Sequence, residues 1–152
     1  MSSIVHRIGI HAPASSAYRA LSTIEGLAGW WTRDTTGTAS VGECINFKFR
    51  DPAGKEIGGF EMEVLEQSPD DKVRWKVRSG PAEWIGTQIS FSLAEQDGMT
   101  LVLFAHREWR EEVEFMAHCS MKWAVFLLSL RDLVERGAGQ PAPDDVKIDN
   151  WN

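Results

Sequence analysis

Between residues 42 and 106 the apolar side chains recur at every second position, and between 113 and 136 at every third or fourth. That switch leaves few folds open. The first pattern makes strands with one apolar face each, the second makes a helix with one apolar stripe, and each needs the other for cover. Ile45, Phe47 and Phe49 alternate with Asn46, Lys48 and Arg50, and Phe60, Met62 and Val64 with Glu61 and Glu63. Val73, Trp75 and Val77 alternate with Arg74, Lys76 and Arg78. Thr87, Ile89, Phe91 and Leu93 share one face, as do Val102, Phe104 and His106. Turns separate these runs at Asp51-Pro52-Ala53-Gly54, Ser68-Pro69-Asp70-Asp71, Gly80-Pro81 and Gln96-Asp97-Gly98. The first of them fits type I, with Asp, Pro and Gly at the first, second and fourth positions. Strands at hairpin spacing predict an antiparallel meander.

Ile4 to His11 reads as one further strand, giving about six. Pro13 suits the first turn of a helix, and Ala14 to Leu21 carries a short helical pattern. Thr23 is placed to cap a second short helix from Ile24 to Trp31, interrupted by Gly26 and Gly29. The long helix, Val113 to Arg136, has its stripe at Met116, Cys119, Trp123, Leu127, Leu130 and Val134, widened by Phe126 and Leu133. Gly137, Gly139, Pro141 and Pro143 end it. The expected class is α+β: a curved antiparallel sheet wrapped around a long C-terminal helix, with two short helices after the first strand. Residues 1–140 form one ligand-binding domain in this reading, and 141–152 a polar tail. Val146, Ile148 and Trp151 of the tail need an apolar surface, either their own sheet or a second copy in a homodimer.

The net charge of −6 and pI near 5.2 argue against nucleic acid, whose phosphates demand clustered Lys and Arg. The charges on the outer strand faces run positive, negative, positive, which predicts cross-strand pairing rather than a basic patch. No apolar run approaches the length of a membrane span or a signal peptide, so no membrane is expected and the location is taken as cytoplasmic. Cys44 and Cys119 then read as buried thiols, not a disulfide. His6, His11, His106 and His118 have no metal-ligand spacing. There is no phosphate loop or nucleophile elbow. Neither a metal nor a cofactor is expected.

Several local motifs carry a resemblance. They are the Ala12-Pro13 step, the run Thr23-Ile24-Glu25-Gly26-Leu27-Ala28-Gly29-Trp30-Trp31-Thr32, and Val41-Gly42. Phe104-Ala105-His106-Arg107 and the helix bearing Trp123, Leu127 and Leu130 complete the set. Together with the element order they resemble the helix-grip fold of the START-like (SRPBCC, or Bet v 1-like) superfamily. Within it they are most similar to the branch homologous to the C-terminal domain of the activator of Hsp90 ATPase. The resemblance implies a cavity between sheet and helix. It does not imply a reaction, since lipid carriers, receptors, cyclases and a cochaperone domain share this fold.

The inward residues expected to wall that cavity are Trp31, Phe47, Phe49, Phe60, Met62, Trp75, Phe91, Phe104, His106, Met116, Cys119, Trp123 and Leu127, with Trp84, Arg107 and Trp109 at its mouth. Aromatic and Met walls with few polar groups suit a small hydrophobic or amphipathic molecule. Binding of such a molecule is the first expectation. A cyclase or hydrolase with His106 as acid or base is the first alternative, although a His at the edge of an apolar face is more often structural. A stress- or chaperone-related interaction module acting through exposed Trp30, Trp31, Trp109 and Trp151 is the second. Cys119 lies four residues from Trp123 in the apolar stripe, where burial makes it inert rather than nucleophilic.

Overall fold

A computed structural model describes residues 1–152. In chain order the elements are β1 (Ser2–Ile10), α1 (Ala14–Ser22), α2 (Ile24–Trp30), β2 (Asp34–Gly37), β3 (Cys44–Arg50), β4 (Glu56–Ser68), β5 (Lys72–Ser79), β6 (Gln88–Gln96), β7 (Met99–Trp109) and α3 (Glu114–Arg136). The strands form one antiparallel sheet in the order β1-β7-β6-β5-β4-β3-β2. The α+β class, the meander and the long helix are as expected. The sheet has seven strands rather than about six. β2 escapes a periodicity reading because it is four residues long and buries only Thr35.

Two bulges curl the sheet between β4 and β5, with Arg78 of β5 the extra residue in one and Leu65 of β4 in the other. β4 slips register against β5 between Glu61 and Met62 and again between Val64 and Glu66. Each bulge adds an unpaired residue and sharpens the local twist. The concave face collects Ile45, Phe47, Met62, Val64, Val73, Trp75, Ile89, Phe91, Val102 and Phe104, all buried, against which α3 sets Trp123, Leu127 and Leu130. On the outer face Arg78 pairs with Glu63, Arg74 with Glu66 at 3.3 Å and Arg50 with Asp34 at 2.7 Å. The expected pairing of opposite charges is therefore present, with β2 supplying one partner. Such surface pairs contribute about 0–1 kcal/mol each.

The short helices are held from outside, as weak isolated helices must be. The first backbone N–H of α1 is capped by the Glu95 carboxylate of β6 at 2.9 Å. Thr23 Oγ1 caps α2 by accepting from Gly26 N–H at 3.0 Å. The indole of Trp30 donates to Ala20 O at 2.9 Å and ties the two together. α3 stops at Gly137, whose φ of 86° is the left-handed conformation glycine adopts freely.

Residues 141–152 return along the open side of the molecule. Ala142 N–H donates to Trp31 O at 2.8 Å, and Arg33 N–H to Ala142 O at 3.2 Å. Further along, Asp145 is buried and reached by Lys122 of α3. No helix of the protein is long and apolar enough to cross a membrane. The cysteines are free, but only Cys119 is buried. Cys44, expected inside, opens β3 at a half-buried position across from Glu63.

Candidate functional site

The space between sheet and helix is mostly filled by rings. Trp31, delivered by the end of α2, sits 4.4 Å from Phe47, 5.0 Å from Trp123 and 6.0 Å from Trp75, centroid to centroid. Phe91 packs on Trp75 at 5.2 Å and on Phe104 at 5.3 Å. Phe47, Met62, Trp75, Phe91, Phe104 and Leu127, placed in the cavity wall by the sequence reading, therefore belong to the packed core. Met116 is a half-buried residue leaning on that core.

What remains open is a pocket of about 320 Å³ at one end of the grip. Its walls come from three directions. Phe49 and Ile57 to Phe60 of the β3–β4 hairpin form one side, and Pro81 and Trp84 of the β5–β6 connection a second. The third is the flank of α3, with Phe115, His118, Cys119, Lys122, Trp123 and Phe126, closed over by Trp151 and Asn152 of the tail; Trp31 lies at the base. Eight of the sixteen lining residues are Phe or Trp. Trp84 lies flat on Phe60, with centroids 4.2 Å apart and planes within 10°. Trp84 is in turn nearly parallel to Trp123, at 5.9 Å and 15°. Arg110 fixes this connection by donating to Ile85 O at 2.8 Å and to Ala82 O.

Of the expected cavity residues, Trp31, Phe49, Phe60, Cys119 and Trp123 meet at this pocket, and Trp84, expected at the mouth, lines it with them. Arg107 and Trp109 do not. Strand alternation that turns His106 inward turns Arg107 outward to solvent, and Trp109 is a buried plug against His106 and Phe115. Phe115, His118, Lys122, Phe126 and Trp151 were not anticipated as wall residues. One signal was in the sequence: Lys122 places a charge between Cys119 and Phe126, inside the apolar stripe.

His106 is fully buried and does not line the pocket. Trp123 Nε1 lies 3.2 Å from its Nδ1. An indole N–H only donates, so Nδ1 accepts and the ring proton sits on Nε2. Nε2 donates to Thr87 Oγ1 at 2.8 Å, and Thr87 passes the chain on to Trp84 O at 2.6 Å. Burial pushes the pKa of His106 down to about 3. Both ring nitrogens are engaged and the imidazole stays neutral, so the acid–base role considered for it finds no accessible proton. This histidine braces the Trp84 connection against α3. Burial likewise pushes the Cys119 thiol up to about 12, outweighing the lowering effect of the neighbouring Trp84 indole. It is an inert part of the wall.

The polar atoms of the pocket cluster where the tail crosses α3. Lys122 Nζ donates to the Asp145 carboxylate, to Val146 O at 2.8 Å and to Asn152 O at 3.4 Å, and lies 5.1 Å from the Phe126 ring centroid. Burial acts to raise the Asp145 carboxyl, but the hydrogen bonds and charges of Lys122 and then Lys147 outweigh it and hold it below the usual range. His118 Nδ1 meets Asp149 Oδ2 at 2.7 Å, and its ring is 5.5 Å from Trp151. No three His, Cys, Asp or Glu side chains draw together as metal ligands would. The exposed tryptophan patch that an interaction module required is not formed. Trp30, Trp31 and Trp109 are buried because each completes the core, and only Trp151 is half exposed.

Residues 11–135 match the family model described as activator of Hsp90 ATPase homolog 1-like protein. The chain belongs to that family. The activator-like fold also recurs among solved structures. The Aha1 dimer from Colwellia psychrerythraea, solved in solution, is 45% identical and superposes with a TM-score of 0.81 over 91% of this chain and 100% of that one. A protein from Mesorhizobium loti (19% identity, TM-score 0.72, 88% and 96% covered) has the same fold. So does one from Chromobacterium violaceum (20%, 0.73, 88% and 96%). Among curated proteins none matched significantly.

Proposed function

We propose that this activator-like chain binds a small hydrophobic or amphipathic molecule in the pocket at the open end of the grip. One observation carries the reading: an aromatic-walled space of about 320 Å³ persists in an otherwise filled interior. That volume falls at the low end of ligand pockets, about 300–1,000 Å³. A pocket of this size lined by rings exposes apolar surface that an apolar ligand would remove from water. The engagement of His106 by Thr87 and Trp123 favours binding over catalysis. Two free thiols suit a reducing cytoplasm.

Native mass spectrometry of protein purified from its own host tests this against a denatured control. The expected result is a non-covalent adduct that disappears on denaturation. An apo mass, together with no saturable uptake of naphthalene-type probes, overturns it.

We also propose that the protein dimerises, supported by the dimer of the 45% identical Colwellia relative. Half-exposed Val146 and Trp151 on the tail offer apolar surface for it. Sedimentation equilibrium should give about twice the 17.0 kDa chain mass. A concentration-independent single-chain mass rejects the dimer.

A further inference from the structure

The pocket wall carries one buried cation, and its coordination is incomplete. Lys122 Nζ has three protons, and its side chain is only 10% exposed. Asp145 and Val146 O take two of them at close range. The third faces Asn152 O at 3.4 Å, beyond the usual N–H···O range of about 2.7–3.2 Å. The Asp145 carboxylate is moreover shared with Lys147 Nζ at 3.2 Å, so two ammonium groups divide one carboxylate between them. The same pocket is lined by Phe60, Trp84 and Trp123, which stack on one another with Trp84 in common, at 4.2 Å to Phe60 and 5.9 Å to Trp123.

We propose that the pocket recognises a planar aromatic molecule bearing a single oxyanion. The ring packs among the Phe and Trp side chains of the lining, and the oxyanion binds Lys122 Nζ in place of the Asn152 oxygen. This rests on the binder reading above and adds to it the shape and charge of the ligand. Eight Phe and Trp side chains in the lining favour an aromatic guest, which they can meet edge-to-face or offset-stacked. The volume admits a molecule of about two rings. An aromatic box alone would equally suit a cation, held over the ring faces. Here Lys122 already occupies that role over Phe126, and a second cation would meet its charge. An oxyanion instead replaces a 3.4 Å contact with a short charge-assisted one.

Isothermal titration of the full chain with 2-naphthoate, 2-naphthylmethanol and 2-(aminomethyl)naphthalene tests the proposal, because the three probes share a ring and differ in charge. The naphthoate should bind at least about tenfold more tightly than the alcohol, and the amine most weakly, as expected of a charge-assisted hydrogen bond. Lys122→Met should bring naphthoate and alcohol to within about twofold of one another, with the alcohol little changed. Should that variant fail to fold with Asp145 unpaired, Lys122→Gln combined with Asp145→Asn keeps a hydrogen bond and removes the charge. Equal affinity for anion and alcohol, or a preference for the amine, overturns the oxyanion assignment and leaves the pocket reading standing. Binding of none of the three removes both.

Discussion

The proton held by Nε2 of His106 has a consequence for acid stability. Protonating Nδ1 would set two donors against each other across the 3.2 Å contact with Trp123, and would charge a group with no solvent access. The folded pKa of about 3 lies below the unfolded value of 6.5. The unfolded chain therefore binds the proton first. The stabilising effect is complete above pH 6.5 and is lost as pH falls toward 3, at about 1.4 kcal/mol per unit. Asp145 is a depressed carboxylate and adds its loss only in more acid solution, so the interval from pH 6.5 to 5 isolates the histidine. Urea unfolding of the native protein should lose roughly 2 kcal/mol across that interval, and His106→Gln should lose much less. Parallel curves for the two proteins contradict this account. Nothing in the order of residues shows the partners involved. Thr87 and Trp123 lie 19 and 17 positions from His106, so their convergence is a property of the folded sheet and helix.

α2 is an element whose glycines work through distance rather than flexibility. A Cβ on Gly26 would stand 2.6 Å from Ala20 Cα and 2.7 Å from Ala20 O, both backbone atoms of α1 that cannot rotate aside. Helix propensity alone makes Gly→Ala favourable by about 1 kcal/mol. Overpacking against a fixed neighbour costs about 1–3 kcal/mol, so the clash should win. Gly26→Ala should lower the urea midpoint without changing the slope, and a raised midpoint would show that α1 yields. The sequence displayed the glycines but not the reason for them, since the close approach exists only once the helices cross. The strands were readable for the opposite reason. β3, β4, β5 and β6 bury one face more than the other, and alternation records that directly. β2 offers no such record: Asp34-Thr35-Thr36-Gly37 has no apolar alternation and owes its state to pairing with β3.

At the scale of the whole molecule, the grip closes on itself along most of its length and stays open at one end. Composition hinted at this through seven tryptophans, but not at which rings fill and which line. Leu127 on the α3 stripe and Phe47, Met62, Trp75, Phe91 and Phe104 on the inner strands are filling, whereas Cys119, Trp123, Phe49 and Phe60 reach the pocket. Phe115, His118, Lys122 and Phe126 line the pocket because it lies to one side of that stripe, and Trp151 because the tail folds back over it. Their convergence depends on a contact between segments 23 residues apart, Lys122 with Asp145, that no local pattern announces.

The filled part of the grip has an optical consequence. Trp30, Trp31, Trp75, Trp123, Trp84 and Trp109 are joined by ring pairs whose centroids are nowhere more than 6.3 Å apart. At such separations the transition dipoles of neighbouring indoles interact, and a photon absorbed by one is shared among the others before it is emitted. Six chromophores thus behave as one antenna reaching from α2 to the end of β7. Trp151, half exposed and set against Phe115 and His118 rather than another indole, is the chromophore that watches the tail.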